Sequence, residues 1–272
     1  MSKKLRILYV TSEIDPFLKM SSAADLIRLL PQKLQEKGHE IRIFMPKFGV
    51  INERRNRLHE VVRLSGINIR VAGEEKPLTI KVASIPNAKL QVYFLDNEDY
   101  FKRKSVLTDP ASDKFHVDND ERSIFFCKGV IETVKKLGWP PDIIHCHDWM
   151  TSFIPLYLRT HYKEDPMFSK TKTVFTVYNN GFDSELAQNY LDKVRVDGIE
   201  DENLDNYDGP NYVGVVKGGM ALSDVVTKGH PVIDEKLEEY IEQTQSEKIY
   251  FDTSDADQYV EGYHQLYANI SN

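Results

Sequence analysis

Four short β-prone runs alternate with segments whose apolar residues recur at helical spacing, and this alternation limits the folds open to the chain more than any other feature. The runs are Leu5-Arg6-Ile7-Leu8-Tyr9-Val10, Glu40-Ile41-Arg42-Ile43-Phe44-Met45, Asp142-Ile143-Ile144-His145-Cys146 and Thr173-Val174-Phe175-Thr176-Val177. Between the first two, Ala23, Leu26, Ile27, Leu30 and Leu34 predict a helix kinked at Pro31 and stopped at Gly38. A strand, a helix and a second strand ending at Pro46 make a unit whose crossover is right-handed. From Val61 to Leu95 shorter runs, among them Ile80–Ser84 and Leu90–Leu95, predict added strands, some antiparallel. Residues 102–117 read as irregular. Asp118 and Glu121 then stand at capping-box spacing before a helix carrying Ile124, Cys127, Ile131 and Val134, which ends near Gly138-Trp139-Pro140-Pro141.

Downstream, the pattern predicts a helix over Trp149–Tyr162, a loop over Asp197–Asn211, a helix over Tyr212–Leu222 and a short strand over Asp224–Thr227. Helices over Ile233–Gln243 and Ala256–Ile270 finish the chain. The expected fold is α/β: a doubly wound, mostly parallel, Rossmann-like sheet with helices on both faces. At 272 residues the chain reads as a single domain over 1–272, with 256–270 its carboxyl-terminal helix.

Composition excludes several classes. With 41% hydrophobic and 28% charged residues the chain is a folded globular protein. Its net charge of −7 argues against the phosphate attraction that drives nucleic-acid binding. No apolar run reaches the roughly 20 residues needed to cross a bilayer, and no secretory signal is evident, so no membrane partner and a cytoplasmic location are expected. Two cysteines, Cys127 and Cys146, are too few for a disulfide framework and are expected reduced.

In open parallel sheets ligands bind outside the carboxyl ends of the strands. Three segments fall there: Ser12–Asp25, His145–Thr151 and Tyr178–Phe182. In the first, Lys19, Ser21 and Ser22 precede a helix; they either present a cation and two hydroxyls to a ligand, or Ser21 or Ser22 is simply an N-cap with Lys19 solvated. In the second, His145 and His147 share a strand face beside Asp148. Zinc needs a further ligand and none stands at a recognised spacing, so hydrogen-bonding or buried histidines are the expectation and no metal is assigned. There is neither a serine nucleophile elbow nor a dinucleotide glycine fingerprint.

Taken in order, several of these segments carry a more specific signal. They are Ser12-Glu13 with Pro16 and Lys19; Leu30-Pro31; Phe94-Leu95-Asp96-Asn97 with Tyr100-Phe101; Asp118-Asn119 with Glu121-Arg122; Pro141-Asp142-Ile143-Ile144-His145 with His147-Asp148-Trp149; Phe175-Thr176-Val177 with Asn179; and Lys217-Gly218-Gly219. Together the chain resembles the amino-terminal domain of bacterial glycogen synthases and plant starch synthases, one half of a GT-B glycosyltransferase. The resemblance implies glucosyl transfer from ADP-glucose or UDP-glucose to an α-1,4-glucan, with no metal or other cofactor. In that family the amino-terminal half supplies much of the acceptor side and the carboxyl-terminal half holds most of the nucleotide, and the resemblance implies that the second half is not among these residues.

The resemblance also singles out differences. The family lysine is followed by Thr-Gly-Gly-Leu, whereas Lys19 is followed by Met20-Ser21-Ser22-Ala23, and a family histidine is replaced by Tyr178. Serine fills space that glycine leaves open, and a phenol cannot reproduce an imidazole's contacts or charge. Lys19, Asp148 and Asn179 match the family pattern. The expected substrate-binding residues are thus Lys19, Ser21, Ser22, His147, Asp148, Tyr178 and Asn179, with no catalytic residue assigned. The expected function is an accessory or glucan-binding protein of glycogen metabolism, a pseudoenzyme not competent alone for transfer. Two alternatives stand beside it: a glucosyltransferase subunit completed by a protein partner that supplies the nucleotide-binding domain, and a non-catalytic scaffold. Expected ligands are an α-1,4-glucan or maltooligosaccharide and a nucleotide sugar.

Overall fold

In the computed structural model, which describes residues 3–243, 249–252 and 254–271, the four β-prone runs form the middle of one sheet. They are β1 (Arg6–Val10), β2 (Glu40–Pro46), β7 (Ile143–His147) and β8 (Lys172–Val177). Between β2 and β7 lie β3 (His59–Glu60), β4 (Ile67–Val71), β5 (Glu74–Ser84) and β6 (Gln91–Asp96); β9 (Val225–Lys228) and β10 (Ile249–Tyr250) follow β8. The order across the sheet is β10-β9-β8-β7-β1-β2-β6-β5-β3, with β4 paired to β5 off the path. From β10 to β6 every neighbour is parallel, while β5 is antiparallel to β6, β3 and β4. The chain leaves β1 toward β2 on one side and later builds β7 on the other. The strand order therefore reverses between β1 and β7, where loops diverge and leave a crevice.

Every residue of β7 is buried, as a central parallel strand covered on both faces requires. One face is covered by α3 (Asn119–Leu137), α4 (Phe153–Arg159) and α7 (Tyr212–Ala221). Ser123 Oγ and Cys127 Sγ of α3 donate to the Met150 carbonyl, and Gly219 of α7 lies against the Phe175 ring of β8. The other face carries α1 (Ala23–Glu36) and α9 (Ala256–Ile270), which touch each other. α1 runs unbroken through Pro31, and Gly38 follows it at φ 98°, a left-handed conformation that suits glycine.

The tyrosines of α9 fasten it to the sheet. Tyr259, Tyr263 and Tyr267 recur every four residues and so share one helix face, all of them buried. The Tyr267 hydroxyl meets His145 Nδ1 at 2.5 Å and the Tyr9 hydroxyl at 3.2 Å. Tyr263 reaches Thr227 at 3.0 Å and Thr176 at 3.4 Å. Tyr263 and Tyr267 thereby keep hydrogen-bond partners in the interior, as buried hydroxyls must.

Several local expectations are corrected. Asp118 occupies the N-cap position of α3 but makes no side-chain cap bond; its carboxylate grips Arg103 instead. A two-pronged, charge-assisted partner is stronger than a neutral amide, so the capping-box spacing is not used as such. The helix expected over Trp149–Tyr162 begins as a tight 3-10 turn, Trp149–Thr151, capped by Asp148, before α4. The stretch read as a loop over Asp197–Asn211 contains α6 (Asp201–Leu204), and α5 (Tyr190–Val194) precedes it. Asn203 Oδ1 accepts the Glu200 N–H at 2.9 Å, half of a capping box that the Asp- and Asn-rich composition concealed. The short α2 (Glu98–Phe101), α8 (Glu235–Gln243), β3, β4 and β10 complete the fold.

The irregular segment 102–117 is held by Arg122, which is fully buried. Its guanidinium donates to the Tyr100 and Val106 carbonyls at 2.8 and 2.6 Å, and burial pushes its pKa down to about 10. The clasp under α9 can be tested directly. Tyr267→Phe strands His145 Nδ1 and the Tyr9 hydroxyl in the interior and is expected to lower stability by about 1–3 kcal/mol. Urea unfolding measures this; an unchanged midpoint would show that α9 is held by apolar contact alone.

Candidate functional site

At the switch point, the ends of β1 and β7 bring two carboxyl groups and a serine together. Asp148 directly follows β7 and is 5% exposed, with backbone φ 76° and ψ 162°. That combination is essentially a glycine conformation, and a side chain held there costs on the order of 1–3 kcal/mol. Ser12 Oγ donates to Asp148 Oδ2 and the Met150 N–H to Oδ1 at 3.3 Å, while the Asp148 N–H reaches the Thr176 carbonyl at 3.4 Å. Burial pushes the Asp148 pKa up to about 7; its bond from Ser12 works against this, and the nearby Glu13 charge adds to it. A carboxyl poised in this way can donate or accept a hydrogen bond near neutral pH.

Glu13, only 1% exposed, fills the amide cluster that leads into α1. Its Oε2 accepts the Met20 and Ser21 N–H groups at 2.6 and 2.8 Å, and its Oε1 accepts the Ser21 hydroxyl at 2.6 Å. An internal carboxylate thus sits where the helix dipole favours negative charge. Ser22 is the N-cap residue without a side-chain bond, whereas Ser21 Oγ accepts the Ala23 N–H at 3.1 Å. Lys19 is exposed but not free, because it pairs with Asp25 at 2.6 Å. Neither reading of this segment from sequence included Glu13 as the group that organises it.

The two histidines belong to the interior. His145 is held by Tyr267 and by Thr176, the latter at 2.6 Å. His147 Nδ1 meets the Tyr178 hydroxyl at 2.8 Å, while its buried Nε2 has no partner among the described residues. Burial lowers both pKa values, that of His147 to about 3, so both rings are neutral at physiological pH. No cluster of three His, Cys, Asp or Glu side chains among the described residues could hold a metal. Tyr178 is turned inward and 4% exposed. Its ring lies over Gly229, where an added Cβ would come within 2.2 Å, and its carbonyl accepts the Tyr212 hydroxyl at 2.8 Å.

Asn179 is exposed and lies on a groove of about 500 Å³ that also includes Asn180, Phe182, Asn211, Tyr212 and Lys236. Asn180 Oδ1 is buried without a partner among the described residues. Phe182 stacks on Phe115 at 4.7 Å and meets Trp149 edge-on at 4.9 Å. Amides beside an aromatic face suit a ligand with hydroxyl edges and a C–H face. The structure therefore joins Asp148 through Ser12 to the β1 end and Ser21 to Glu13, and it joins His147 to Tyr178. Lys19, Ser22 and Asn179 are not hydrogen-bonded to that set. Ser12, Glu13, Asn180 and Phe182 join the candidate site; all four lie in the segments after β1 and β8, and their burial and contacts had no sequence signal.

The Asp148 pKa near 7 lies above the value of about 4 expected in an unfolded chain. Between those values the unfolded chain has lost the proton and the folded one keeps it, so this group's contribution makes stability fall as pH rises from about 4 to about 7. Asp148→Asn is expected to flatten that dependence and to gain up to roughly 4 kcal/mol at pH 8, since each tenfold change in proton affinity is worth about 1.4 kcal/mol. Asp148→Gly is expected to gain about 1 kcal/mol more by relieving the backbone. Urea denaturation of the three proteins at pH 4.5 and 8 checks both, and equal stabilities at the two pH values in the unsubstituted chain would contradict the first.

Residues 6–246 match the family described as the starch synthase catalytic domain. The glycogen synthase of Chlorobaculum parvum is 40% identical over 233 residues, which are 84% of this chain and 46% of that protein. That of Chlorobium phaeobacteroides is 48% identical over 177 residues, 65% of this chain and 36% of the relative. The catalytic domain of starch synthase IV from Arabidopsis thaliana, bound to ADP and acarbose, shares the fold with a TM-score of 0.75 at 21% identity, over 91% of this chain and 51% of that one. This chain thus spans less than half the length of these glycogen synthases. With a match that runs from β1 past α8, the chain belongs to the starch synthase catalytic domain family.

Proposed function

We propose that this chain binds an α-1,4-glucan along the carboxyl ends of β7 and β8 and that these 272 residues do not transfer glucose by themselves. The observation that carries the reading is Asp148. A protein keeps a buried carboxyl in a glycine-only backbone conformation, next to a second carboxylate, against the pull of stability, and such positions cluster at functional sites. The groove lined by Asn179, Asn180 and Phe182, whose Phe182 ring meets Trp149 next to Asp148 in the chain, offers amide hydrogen bonds and an aromatic face to successive pyranose rings. The glucan-related ligand named for the Arabidopsis relative, acarbose, supports the same ligand class.

The donor side carries the second half of the proposal. Transfer from a nucleotide sugar needs charges that stabilise the departing diphosphate in the transition state. Here the amides at the head of α1 are taken by Glu13, Lys19 is paired with Asp25, and Tyr178 is folded into the core instead of facing a sugar. The site residues act as one wall of a cleft, and the chain acts in glycogen metabolism as a glucan-binding, cytoplasmic protein of synthase descent.

A second reading is favoured by Lys19, Asp148 and Asn179, which match the family pattern: the chain is a glucosyltransferase subunit whose nucleotide site comes from another polypeptide segment. Titration calorimetry with maltoheptaose and a transfer assay with ADP-glucose and UDP-glucose separate these outcomes. We expect saturable glucan binding, weakened about tenfold or more in Asp148→Ala and Asn179→Ala, with no glucose incorporation. Incorporation by the 272-residue chain alone would sink the proposal. Incorporation that appears only on adding a nucleotide-binding partner would support the second reading.

A further inference from the structure

On the α3 side of the sheet, a groove of about 640 Å³ opens between the β4–β5 turn, the middle of α3, the end of α4 and the α5 loop. Arg70, Lys128, His161, Lys193 and Arg195 all line it. None of these residues belongs to the segments around Asp148, so the groove stands apart from the proposed glucan site. Two of its cations are already neutralised: Lys193 is held by Asp120 and Glu121 at 2.8 and 2.9 Å, and Arg195 is paired with Asp201. Arg70 and Lys128 have no ion-pair partner among the described residues.

Lys128 is the unusual member. It is 8% exposed, in a stretch of α3 from Arg122 to Ile131 that is buried throughout, and among the described residues its ammonium meets only the Arg70 carbonyl, at 2.9 Å, and the face of Tyr157, at 5.5 Å. Burial, with the Arg70 charge next to it, pushes its pKa down to about 8. Glu132 lies one turn along α3 at i+4, but it is bound by the Tyr162 hydroxyl and neighbours Lys135. Beside Lys128 a smaller cavity of about 180 Å³, lined by Ile69, Tyr157 and Tyr162, continues the groove inward. His161 donates from Nδ1 to the Asp197 carbonyl at 2.9 Å, which fixes its orientation at the rim. Asp192 and Asp197 also border the groove and limit how much negative charge it accepts.

A buried cation set against another cation, with no carboxylate between them, is unfavourable unless an anion joins them. We propose that this groove is a binding site for a small phosphate-bearing ligand, with the phosphate received between Arg70 and Lys128. Arg70 supplies a planar fork suited to two phosphate oxygens and Lys128 a point charge from below. A single phosphate monoester matches two free cations better than a polyanion does, because Asp192 and Asp197 repel further charge.

The test is calorimetry and thermal unfolding of the full chain at constant ionic strength, with potassium chloride as the reference salt and inorganic phosphate and a hexose monophosphate as probes. Saturable phosphate binding and a raised Tm relative to chloride are expected. Arg70→Gln, at an exposed strand position that does not endanger folding, and Lys128→Met are each expected to weaken binding at least tenfold. Arg54→Gln, which removes an exposed arginine elsewhere, is expected to leave it unchanged. Without phosphate, Lys128→Met is expected to match or exceed the Tm of the unsubstituted chain, which a lysine kept for structure alone would not allow. Tighter binding of the hexose phosphate than of phosphate would place the sugar in the groove as well; equal binding would assign the site to phosphate itself. Phosphate that shifts Tm no more than chloride, or that binds Arg70→Gln at full strength, would overturn the proposal.

Discussion

Strand β7 is enclosed on every side, and most of what is distinctive in this protein follows from what that enclosure demands of its polar residues. Ile143, Ile144 and Cys146 are at ease there, but His145 and His147 point into the layer between the sheet and α9, where a charged imidazole would be costly. The solution is a set of neutral partners: Tyr267 and Thr176 for His145, Tyr178 for His147. Those partners come from β8, the loop after it and the last helix. A requirement set by one strand thereby recruits a helix more than a hundred residues away and fixes where α9 must lie.

The same enclosure shapes the site. Where β7 ends, the chain turns at once through a left-handed residue, and the residue there is Asp148 instead of glycine. Its carboxyl cannot escape to solvent, so it is held partly protonated beside Ser12 and Glu13. Glu13 in turn saturates the amides ahead of α1. Tyr178 is drawn inward by its bond to His147. Structural satisfaction claims polar groups at this end of the sheet, and it claims them unequally in its two halves. Toward Asn179 and Phe182 polar and aromatic groups remain available, whereas toward Lys19 they are already engaged.

Lys128 presents the opposite situation. The histidines of β7 are neutral and each is bonded to a hydroxyl, whereas this lysine is buried with little to balance it and faces an open groove beside another cation. Both lie within one α/β scaffold, which positions polar groups by the same means whether or not they are given partners.

Much of the architecture was legible in the order of residues, because parallel strands buried on both faces must be continuous apolar runs and the helices between them must carry a periodic apolar stripe. β1, β2, β7, β8, α1, α3 and α7 follow from that, as does the location of the site segments past the strand ends. The family pattern around Ser12-Glu13, His147-Asp148 and Asn179 was equally readable. Only the tertiary structure decided which side chains face each other. That Asp118 serves Arg103 and not its own helix, that Glu13 fills the amides before α1, and that Tyr178 turns to His147 all depend on groups far apart in the chain. Periodicity is a local property and can place a residue on a face. Hydrogen bonding, charge and burial are settled by whatever the fold brings to that face, which no local pattern contains.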